Sequence, residues 1–264
     1  MIYVITHKIF DDSIVNKTHY KVLHVGLNKD CKDEYLRDDT LNNISNKNIH
    51  YCELTGQYWI WKNGTETPNE ITGLVHYRRY FTTHLQDLLY TYFNIKPKIL
   101  NFTIIKDSLS KYDIILPKRI TIYRTVKEFY SDLHDESDLE ITRKVIAEIY
   151  PEYLSTYDNV MNAHSFYYGN MLICHKHIFD QYSKWLFDIM FELEKHLDLN
   201  KEGNTYQARV IGFISERLLQ VWVSYNNLKI KEFPVFNTEQ KRLTFVKKNL
   251  NRAKKIKRLW MNEN

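Results

Sequence analysis

Residues 73–81 join a short apolar run to a histidine and two arginines. In Gly-Leu-Val-His-Tyr-Arg-Arg-Tyr-Phe, the side chains of His76, Arg78 and Arg79 directly follow an apolar segment at residues 71–75. Guanidinium groups bind phosphate oxygens bidentately, so two adjacent arginines beside a histidine suit an anionic ligand. The apolar segment predicts a buried strand, and open α/β sheets bind ligands at the carboxyl ends of their strands. An ordinary basic turn is the alternative interpretation.

Residues 51–62 form a polar and aromatic segment without proline. Leu54, Tyr58 and Trp61 recur at helical spacing, and Asn63-Gly64 is typical of a helix end. We predict a helix over this segment, with its apolar side against the core. Its other groups are candidate ligand-binding residues, namely Glu53, Thr55, Trp59 and Lys62. An amphipathic helix with a solvated charged face is the alternative.

Two more polar segments lie near predicted strands in the N-terminal region. The first strand is expected at residues 2–5 and is followed by Thr6, His7 and Lys8; the second is expected at residues 20–25. A turn-like segment then contains Arg37, Asp38, Asp39 and Thr40 and leads to Asn43. Its paired acids could hold ribose hydroxyls or a metal ion, or could cap the turn.

The C-terminal half contributes two candidates from a loop. His164 and Asn170 lie in an aromatic, polar stretch before a predicted strand at residues 171–174. A helix is expected over residues 177–194, and its aromatic stripe at spacings of three and four predicts core packing. The alternative for His164 is a loop histidine whose hydrogen bonds are all made within the protein.

A late helix is predicted to open at Gly212. Ser215 could cap it, which would place Glu216 and Arg217 in its first turn. The helix dipole favours acidic residues there in any case, which is the structural alternative to a functional role. Other helices are expected at residues 85–93, 125–133 and 139–150, and another strand at residues 112–117.

Composition limits the class of protein. The 264 residues suffice for one large domain, and the 14% aromatic content suits packing against sugars as well as core packing. No GxGxxG or GxxxxGK[ST] pattern occurs, which disfavours dinucleotide-binding and P-loop proteins. The three cysteines form no CxxC pair, so we expect no zinc site or disulfide framework. We also expect no signal peptide and no membrane-spanning helix.

The positive charge of the chain is concentrated near its C-terminus. Of 37 Lys and Arg residues, nine lie within residues 241–258, which leaves 28 basic residues against 32 acidic ones in the rest. We therefore predict a main domain at residues 1–238 and a basic amphipathic helix or tail at residues 239–264. The tail suits an anionic membrane surface through residues 241–260, or docking on the body. Nucleic-acid binding is not expected, because the body is acidic and no recognition module occurs.

The motifs in combination resemble a known family. They are Thr6-His7-Lys8, His24-Val25-Gly26, Arg37-Asp38-Asp39-Thr40, Asn43-Ile44-Ser45, the segments at residues 51–63 and 73–81, Asn170-Met171-Leu172-Ile173, and the segment at residues 212–218. This set is similar to DUF4422, a bacterial family of capsular and exopolysaccharide biosynthesis proteins that is grouped with the glycosyltransferases. The resemblance covers roughly residues 1–225.

The resemblance implies an α/β fold of the GT-A nucleotide-sugar transferase type, with a central mixed sheet flanked by helices. It implies an enzyme that moves a sugar, first of all galactofuranose, from a UDP-sugar to a lipid-linked oligosaccharide in capsule, exopolysaccharide or O-antigen synthesis. Such an enzyme would work in the cytoplasm at the inner face of the plasma membrane. A non-catalytic protein that binds a nucleotide sugar or the lipid carrier is the alternative.

The same resemblance assigns roles to the candidate residues. Glu216, as the base of an inverting reaction, and His76 would be catalytic. The nucleotide-sugar site would contain Thr6, His7, Lys8, Asp38, Asp39, Asn43, Glu53, Thr55, Trp59, Lys62, His76, Arg78 and Arg79. The sugars would meet His164, Asn170 and Arg217.

Metal dependence is an open point of this assignment. Most GT-A enzymes hold a divalent metal with an Asp-x-Asp motif, but the corresponding strand here ends in His76-Tyr77-Arg78. Arg78 and Arg79 would then replace the metal. Otherwise His76 and Asp39 would hold Mn²⁺ or Mg²⁺.

Overall fold

The computed structural model describes residues 1–15, 17–28, 30–199 and 207–239. Apart from Glu239, the predicted basic tail lies outside these residues. In the described part the strands are β1 (Ile2–Thr6), β2 (Tyr20–His24), β3 (Leu36–Arg37), β4 (Ile71–His76), β5 (Arg79–Phe81), β6 (Ile114–Pro117), β7 (Ile120–Thr121), β8 (Ser165–Phe166), β9 (Leu172–His175), β10 (Ile230–Phe233) and β11 (Val235–Asn237). The helices are α1 (Asn48–Tyr51), α2 (Leu54–Asn63), α3 (His84–Phe93), α4 (Phe102–Leu109), α5 (Val126–Ser131), α6 (Ser137–Ile149), α7 (Leu154–Met161), α8 (Lys176–Leu193) and α9 (Val210–Tyr225).

The main sheet has the order β10-β6-β9-β4-β1-β2-β3, and β5 and β11 extend it beside β4. Strand β1 pairs in parallel with β2 and β4, whereas β9 is antiparallel to both β4 and β6. The sheet is therefore mixed, as expected. Strands β1, β2, β3, β4 and β6 all end at one edge, and β9 begins there.

Continuous apolar runs explain the central strands. All five residues of β1 are buried, as is typical of a strand with helices on both faces. Its side chains alternate between two cores, since Tyr3 and Ile5 join the larger one and Ile2 and Val4 the smaller one. The aromatic stripe of α8 lies in the larger core, which confirms the prediction that it packs rather than binds. The expected mixed α/β architecture is confirmed.

Two predicted helices have different ends in the structure. The helix expected at residues 51–62 is two helices, α1 and α2, because Cys52 has φ of 51° and ψ of −127°. The late helix begins at Val210 and not at Gly212. Ser215 is therefore no cap, and its hydroxyl donates to the carbonyl oxygen of Gly212. Glu216 lies well inside the helix, so the dipole explanation for an acid at this position is wrong.

Candidate active site

A cleft of about 740 Å³ opens at the carboxyl edge of the sheet, a size suited to a small-molecule ligand. The ends of β1 and β4 form one side of it, and α9 forms another. Its charged lining residues are Glu53, Arg78, Arg79, Arg209, Glu216 and Arg217. Aromatic and aliphatic side chains line it as well, among them Phe129, Phe166, Tyr168 and Phe213.

Glu216 is a carboxylate whose proton affinity suits chemistry at neutral pH. Its side chain is 12% exposed and accepts a hydrogen bond from Nη1 of Arg217 at 3.0 Å. Burial raises the pKa of Glu216 to about 7, although Arg217 opposes this shift, and the negative charge of Glu53 adds to it. A general base works best with a pKa near the operating pH. Glu216 is therefore suited to accept a proton in this cleft.

Glu53 is the second carboxylate of the cleft, and Asn170 holds it. The amide of Asn170 donates to Oε1 of Glu53 and to Oγ of Ser215, both at 2.8 Å. Asn170 is 2% exposed and connects the start of β9 to the first residue before α2 and to α9. The predicted site residue Asn170 thus positions a lining carboxylate.

Replacing Asn170 by alanine should lower the free energy of unfolding. The change removes the amide that donates to half-buried Glu53 and to the buried Ser215 hydroxyl, and an unsatisfied buried acceptor costs about 1–3 kcal/mol. Urea unfolding of both proteins would measure the loss. Asn162→Ala is the matched control, because the Asn162 amide bonds to the carbonyl oxygen of Asp158 in an exposed position. Equal losses in the two variants would contradict a special role for Asn170.

His76 enters the cleft as a neutral imidazole. Burial, together with the charges of Arg79 and Arg78, lowers its pKa to about 4, although the charge of Glu53 opposes this shift. Its Nε2 atom is buried and has no hydrogen-bond partner among the described residues. A neutral ring in this place can donate or accept one hydrogen bond, but it is not a cation at neutral pH.

Each arginine of the cleft lies over an aromatic ring, and Arg78 and Arg217 also pair with an acid. The Arg79 guanidinium carbon lies 4.6 Å from the ring centroid of Tyr168, and its Nη2 donates to the Tyr168 hydroxyl at 3.0 Å. Gly169 lets this side chain approach, since a Cβ there would lie 3.1 Å from Nη1 of Arg79 and its φ is +81°. Arg79 therefore keeps a positive charge available to an anionic ligand.

Arg78 and Lys8 share one acid at the rim of the cleft. Glu239 lies 3.3 Å from Nη1 of Arg78 and 3.5 Å from Nζ of Lys8. Both cations also lie over the ring of Tyr77, at 5.5 and 5.0 Å from its centroid. These two predicted residues lie close together, although only Arg78 lines the cleft.

Three comparisons relate this chain to known proteins. The model of a family described as a domain of unknown function, DUF4422, matches residues 1–227. The chain belongs to the DUF4422 family. Among solved structures, it is similar to the apo structure of the bifunctional glycosyltransferase WbbM, at 30% sequence identity and a TM-score of 0.76. The match covers 91% of this chain and 45% of the WbbM chain, so this chain spans less than half of that protein. Curated proteins gave no match.

The fold of this DUF4422 member is GT-A-like, in agreement with the solved relative. Of the predicted site residues, eight line the cleft: Thr6, His7, Glu53, His76, Arg78, Arg79, Glu216 and Arg217. Strands β1, β4 and β5, the residue before α2, and helix α9 bring them together. Arg217 is 4% exposed, and its guanidinium lies 5.2 Å from the ring centroids of both Tyr130 and Phe166.

The paired acids after β3 do not line the cleft. Oδ1 of Asp38 accepts hydrogen bonds from the Gly26 amide at 2.9 Å and from the Ser45 hydroxyl at 2.6 Å. Burial raises the pKa of Asp38, and the Arg37 guanidinium lowers that of Asp39 through hydrogen bonds to both of its oxygens. In this structure both acids stabilise the turns beyond β2 and β3.

Five more predicted residues lie outside the cleft lining. The Thr55 hydroxyl donates to the Cys52 carbonyl, the Trp59 indole donates to Thr40, and the Asn43 side chain accepts from the Ser45 amide. Nζ of Lys62 lies 3.3 Å from the ring centroid of Trp61. His164 is exposed, and its Nδ1 lies 3.2 Å from the carbonyl oxygen of Tyr123. These contacts describe local packing and no ligand-binding arrangement.

The described residues do not bring together three or more His, Cys, Asp or Glu side chains that could hold a metal ion. Asp39, the proposed partner of His76, is bound by Arg37 and is not among the lining residues. His76 and Asp39 therefore do not form a donor set that fits the metal alternative. Metal dependence itself remains a prediction to be tested.

Sequence reasoning missed Cys52 and Arg209. Nε of Arg209 donates to Sγ of Cys52 at 3.2 Å, and burial raises the pKa of that thiol to about 11. A helical pattern extended upstream would have found Arg209, because Arg209, Phe213, Glu216 and Arg217 recur at i, i+4, i+7 and i+8. The positive φ of Cys52 has no signal in the sequence, since this region favours glycine.

Proposed function

We propose that this protein is a glycosyltransferase that transfers a sugar from a UDP-sugar to a hydroxyl group of a glycan acceptor. The observation that carries the proposal is a carboxylate, Glu216, whose pKa is raised to about 7 within an arginine-lined cleft. The GT-A-like fold and the similarity to a bifunctional glycosyltransferase support it. A nucleotide-sugar donor requires cations for its diphosphate, and the cleft supplies them.

The proposed reaction is a displacement with inversion. The acceptor oxygen bonds to the anomeric carbon, the bond from that carbon to the diphosphate oxygen breaks, and the acceptor proton passes to Glu216. Charge that develops on the diphosphate is stabilised by Arg78, Arg79 and Arg209, because preorganised donors stabilise developing charge strongly in a water-poor site. Neutral His76 offers one hydrogen bond to a bound substrate.

The finer assignments are part of the same proposal. UDP-galactofuranose is the first donor to test, and a lipid-linked oligosaccharide of polysaccharide synthesis is the first acceptor. Such an acceptor would place the protein at the inner face of the plasma membrane. In the described part of the chain, no helix is both long and apolar enough to cross a bilayer.

Release of UDP from a panel of UDP-sugars tests the proposal. Purified protein is incubated with each donor, with and without EDTA, and UDP is measured. Slow hydrolysis of one donor that persists in EDTA is the expected result. Activity that EDTA abolishes and manganese restores would assign the leaving-group role to a metal. Tight UDP binding without turnover, even when acceptors are supplied, would instead favour a non-catalytic binding protein.

A further inference from the structure

Glu53, the residue before helix α2, places a carboxylate in the cleft without a cation to pair with it. Its side chain is half-buried and lines the cleft. The other lining carboxylate, Glu216, lies 3.0 Å from Nη1 of Arg217. Within the ranges that the structure describes, no Lys, Arg or His side chain forms an ion pair with Glu53. A negative charge is therefore left uncompensated in a cleft that suits anions.

The backbone just before Glu53 adopts a conformation that residues other than glycine rarely take. Cys52 has φ of 51° and ψ of −127°, which ends α1 and leads the chain into α2. Nδ2 of Asn48 donates to the Cys52 carbonyl oxygen at 2.7 Å, and Nε of Arg209 donates to Sγ of Cys52 at 3.2 Å. Backbone conformations of this kind cluster at functional sites. The residue that follows this turn is therefore a candidate for a functional role.

The Glu53 side chain is fixed next to helix α9, which carries Glu216. The Asn170 amide donates to Oε1 of Glu53 and to Oγ of Ser215, both at 2.8 Å, and Ser215 precedes Glu216 in that helix. The charge of Glu53 raises the pKa of both His76 and Glu216, so these side chains are close enough to interact. Glu53 therefore faces the part of the cleft where the base and the imidazole lie.

An uncompensated carboxylate at this place is unfavourable for a bound diphosphate. Like charges repel, so the charge of Glu53 weakens the attraction that Arg78 and Arg79 offer to an anion. The transition state of glycosidic bond cleavage, however, resembles an oxocarbenium ion, in which the sugar ring carries positive charge. A fixed negative charge in a partly buried site stabilises that state more than it stabilises the neutral sugar of the ground state.

We propose that Glu53 is a catalytic residue whose negative charge stabilises the positive charge on the sugar ring in the transition state. This inference rests on the proposed function, because it concerns the same reaction. Glu53 itself forms no bond to the sugar. The acceptor oxygen bonds to the anomeric carbon, the bond from that carbon to the diphosphate oxygen breaks, and the acceptor proton passes to Glu216. The two carboxylates thus have different tasks, since Glu53 acts by its charge and Glu216 acts as the base.

Glu53→Gln tests the role of the charge, because glutamine keeps the shape and can still accept the hydrogen bond from Asn170. The turnover number is measured at a pH well above the pKa of Glu216, where the base is ionised in both proteins. We expect kcat to fall about 10²- to 10³-fold, as it does when a preorganised electrostatic contact is lost. UDP should bind to the variant as tightly as to the wild type or more tightly. Glu148→Gln, an exposed change on α6, is the control and should keep the wild-type kcat.

A charged ring distinguishes an electrostatic role of Glu53 from a purely structural one. Calorimetric titrations in the presence of UDP compare a polyhydroxylated pyrrolidine, which is an ammonium ion at neutral pH, with the neutral lactam of the same ring. Transition-state analogues bind more tightly than ground-state analogues. We expect the wild type to bind the pyrrolidine at least about tenfold more tightly than the lactam, and Glu53→Gln to lose most of this preference. The lactam should bind equally to both proteins.

The outcomes separate the role of Glu53 from the proposed function. Equal weakening of both rings in the variant, or a rise in KM without a fall in kcat, would assign Glu53 to a sugar hydroxyl and overturn the inference. Retention of configuration in the product would make Glu53 a nucleophile and would overturn it as well. A wild type without turnover refutes the transferase whatever the rings show, whereas turnover without a preference for the charged ring refutes only the role of Glu53.

Discussion

A Glu216→Gln variant is expected to lose about 10²- to 10⁴-fold in turnover number while still binding UDP, since this is the usual contribution of a positioned general base. Glutamine keeps the shape of the side chain but cannot take the acceptor proton. Rapid-quench or continuous UDP-release assays with donor and acceptor would measure the turnover number. Calorimetric titration with UDP would measure binding separately. A binding protein without chemistry would show no difference between variant and wild type in either measurement.

The pH dependence of kcat/KM is an independent test of the role of Glu216. The base has to be ionised, so kcat/KM of the wild type should fall as the pH drops below about 7, where Glu216 takes up a proton. The charge of Glu53 helps to raise the pKa of Glu216. A Glu53→Gln variant should therefore move the midpoint of the profile to lower pH. Glu148→Gln, an exposed change on α6, is the matched control and should leave the profile unmoved.

As the pH rises and Glu216 ionises, the free energy of unfolding should fall, whereas activity should rise. The folded-state pKa of Glu216, about 7, lies above its ordinary value of 4.5, so ionisation of the buried acid destabilises the fold. The wild type should lose about 3 kcal/mol of unfolding free energy relative to Glu216→Gln as the pH rises through that window. Urea unfolding near the two ends of the window would measure it. Parallel curves for the two proteins would contradict the assigned pKa.

The parts of the fold that local patterns determine were predictable. Continuous apolar runs identified β1, β4, β6 and β9, because strands buried on both faces leave such runs in the sequence. Strand β5 and the helix pair around Cys52 were not predictable. The three residues of β5 are too few to form a pattern, and the positive φ of Cys52 falls in a region that favours glycine, so the residue type does not predict it.

The residues of the candidate site were also predictable only in part. Thr6, His7 and His76, which lie at the ends of β1 and β4, line the cleft because strand ends at one sheet edge converge, whereas Lys8 does not line it. Asp38 and Trp59 were not, because an acid or an indole that stabilises a turn has the same composition signal as one that binds a ligand. The orientation of the side chain distinguishes a turn-stabilising acid from a ligand-binding one. The Asp38 carboxylate faces Gly26 and Ser45, and only the tertiary fold sets that orientation.

A second large loss of kcat is expected when the Arg79 side chain is removed. This cation is held by the ring and hydroxyl of Tyr168, and its charge lowers the pKa of both His76 and Glu216. Its field therefore reaches the reacting region. An arginine that stabilises the departing diphosphate would cost about 10²- to 10³-fold in kcat when removed, as loss of a preorganised donor does elsewhere.

Arg79→Ala tests whether arginine takes the role that a metal has in related chemistry. We expect the loss to remain when manganese is added, and Arg79→Lys to recover only part of the activity, since an ammonium group lacks the planar fork that binds two phosphate oxygens. Arg124→Ala is the control, because Arg124 is 57% exposed and pairs with Asp132 outside the cleft lining. If Arg79→Ala kept full activity and EDTA silenced the wild type, the leaving group would depend on a metal and not on this arginine.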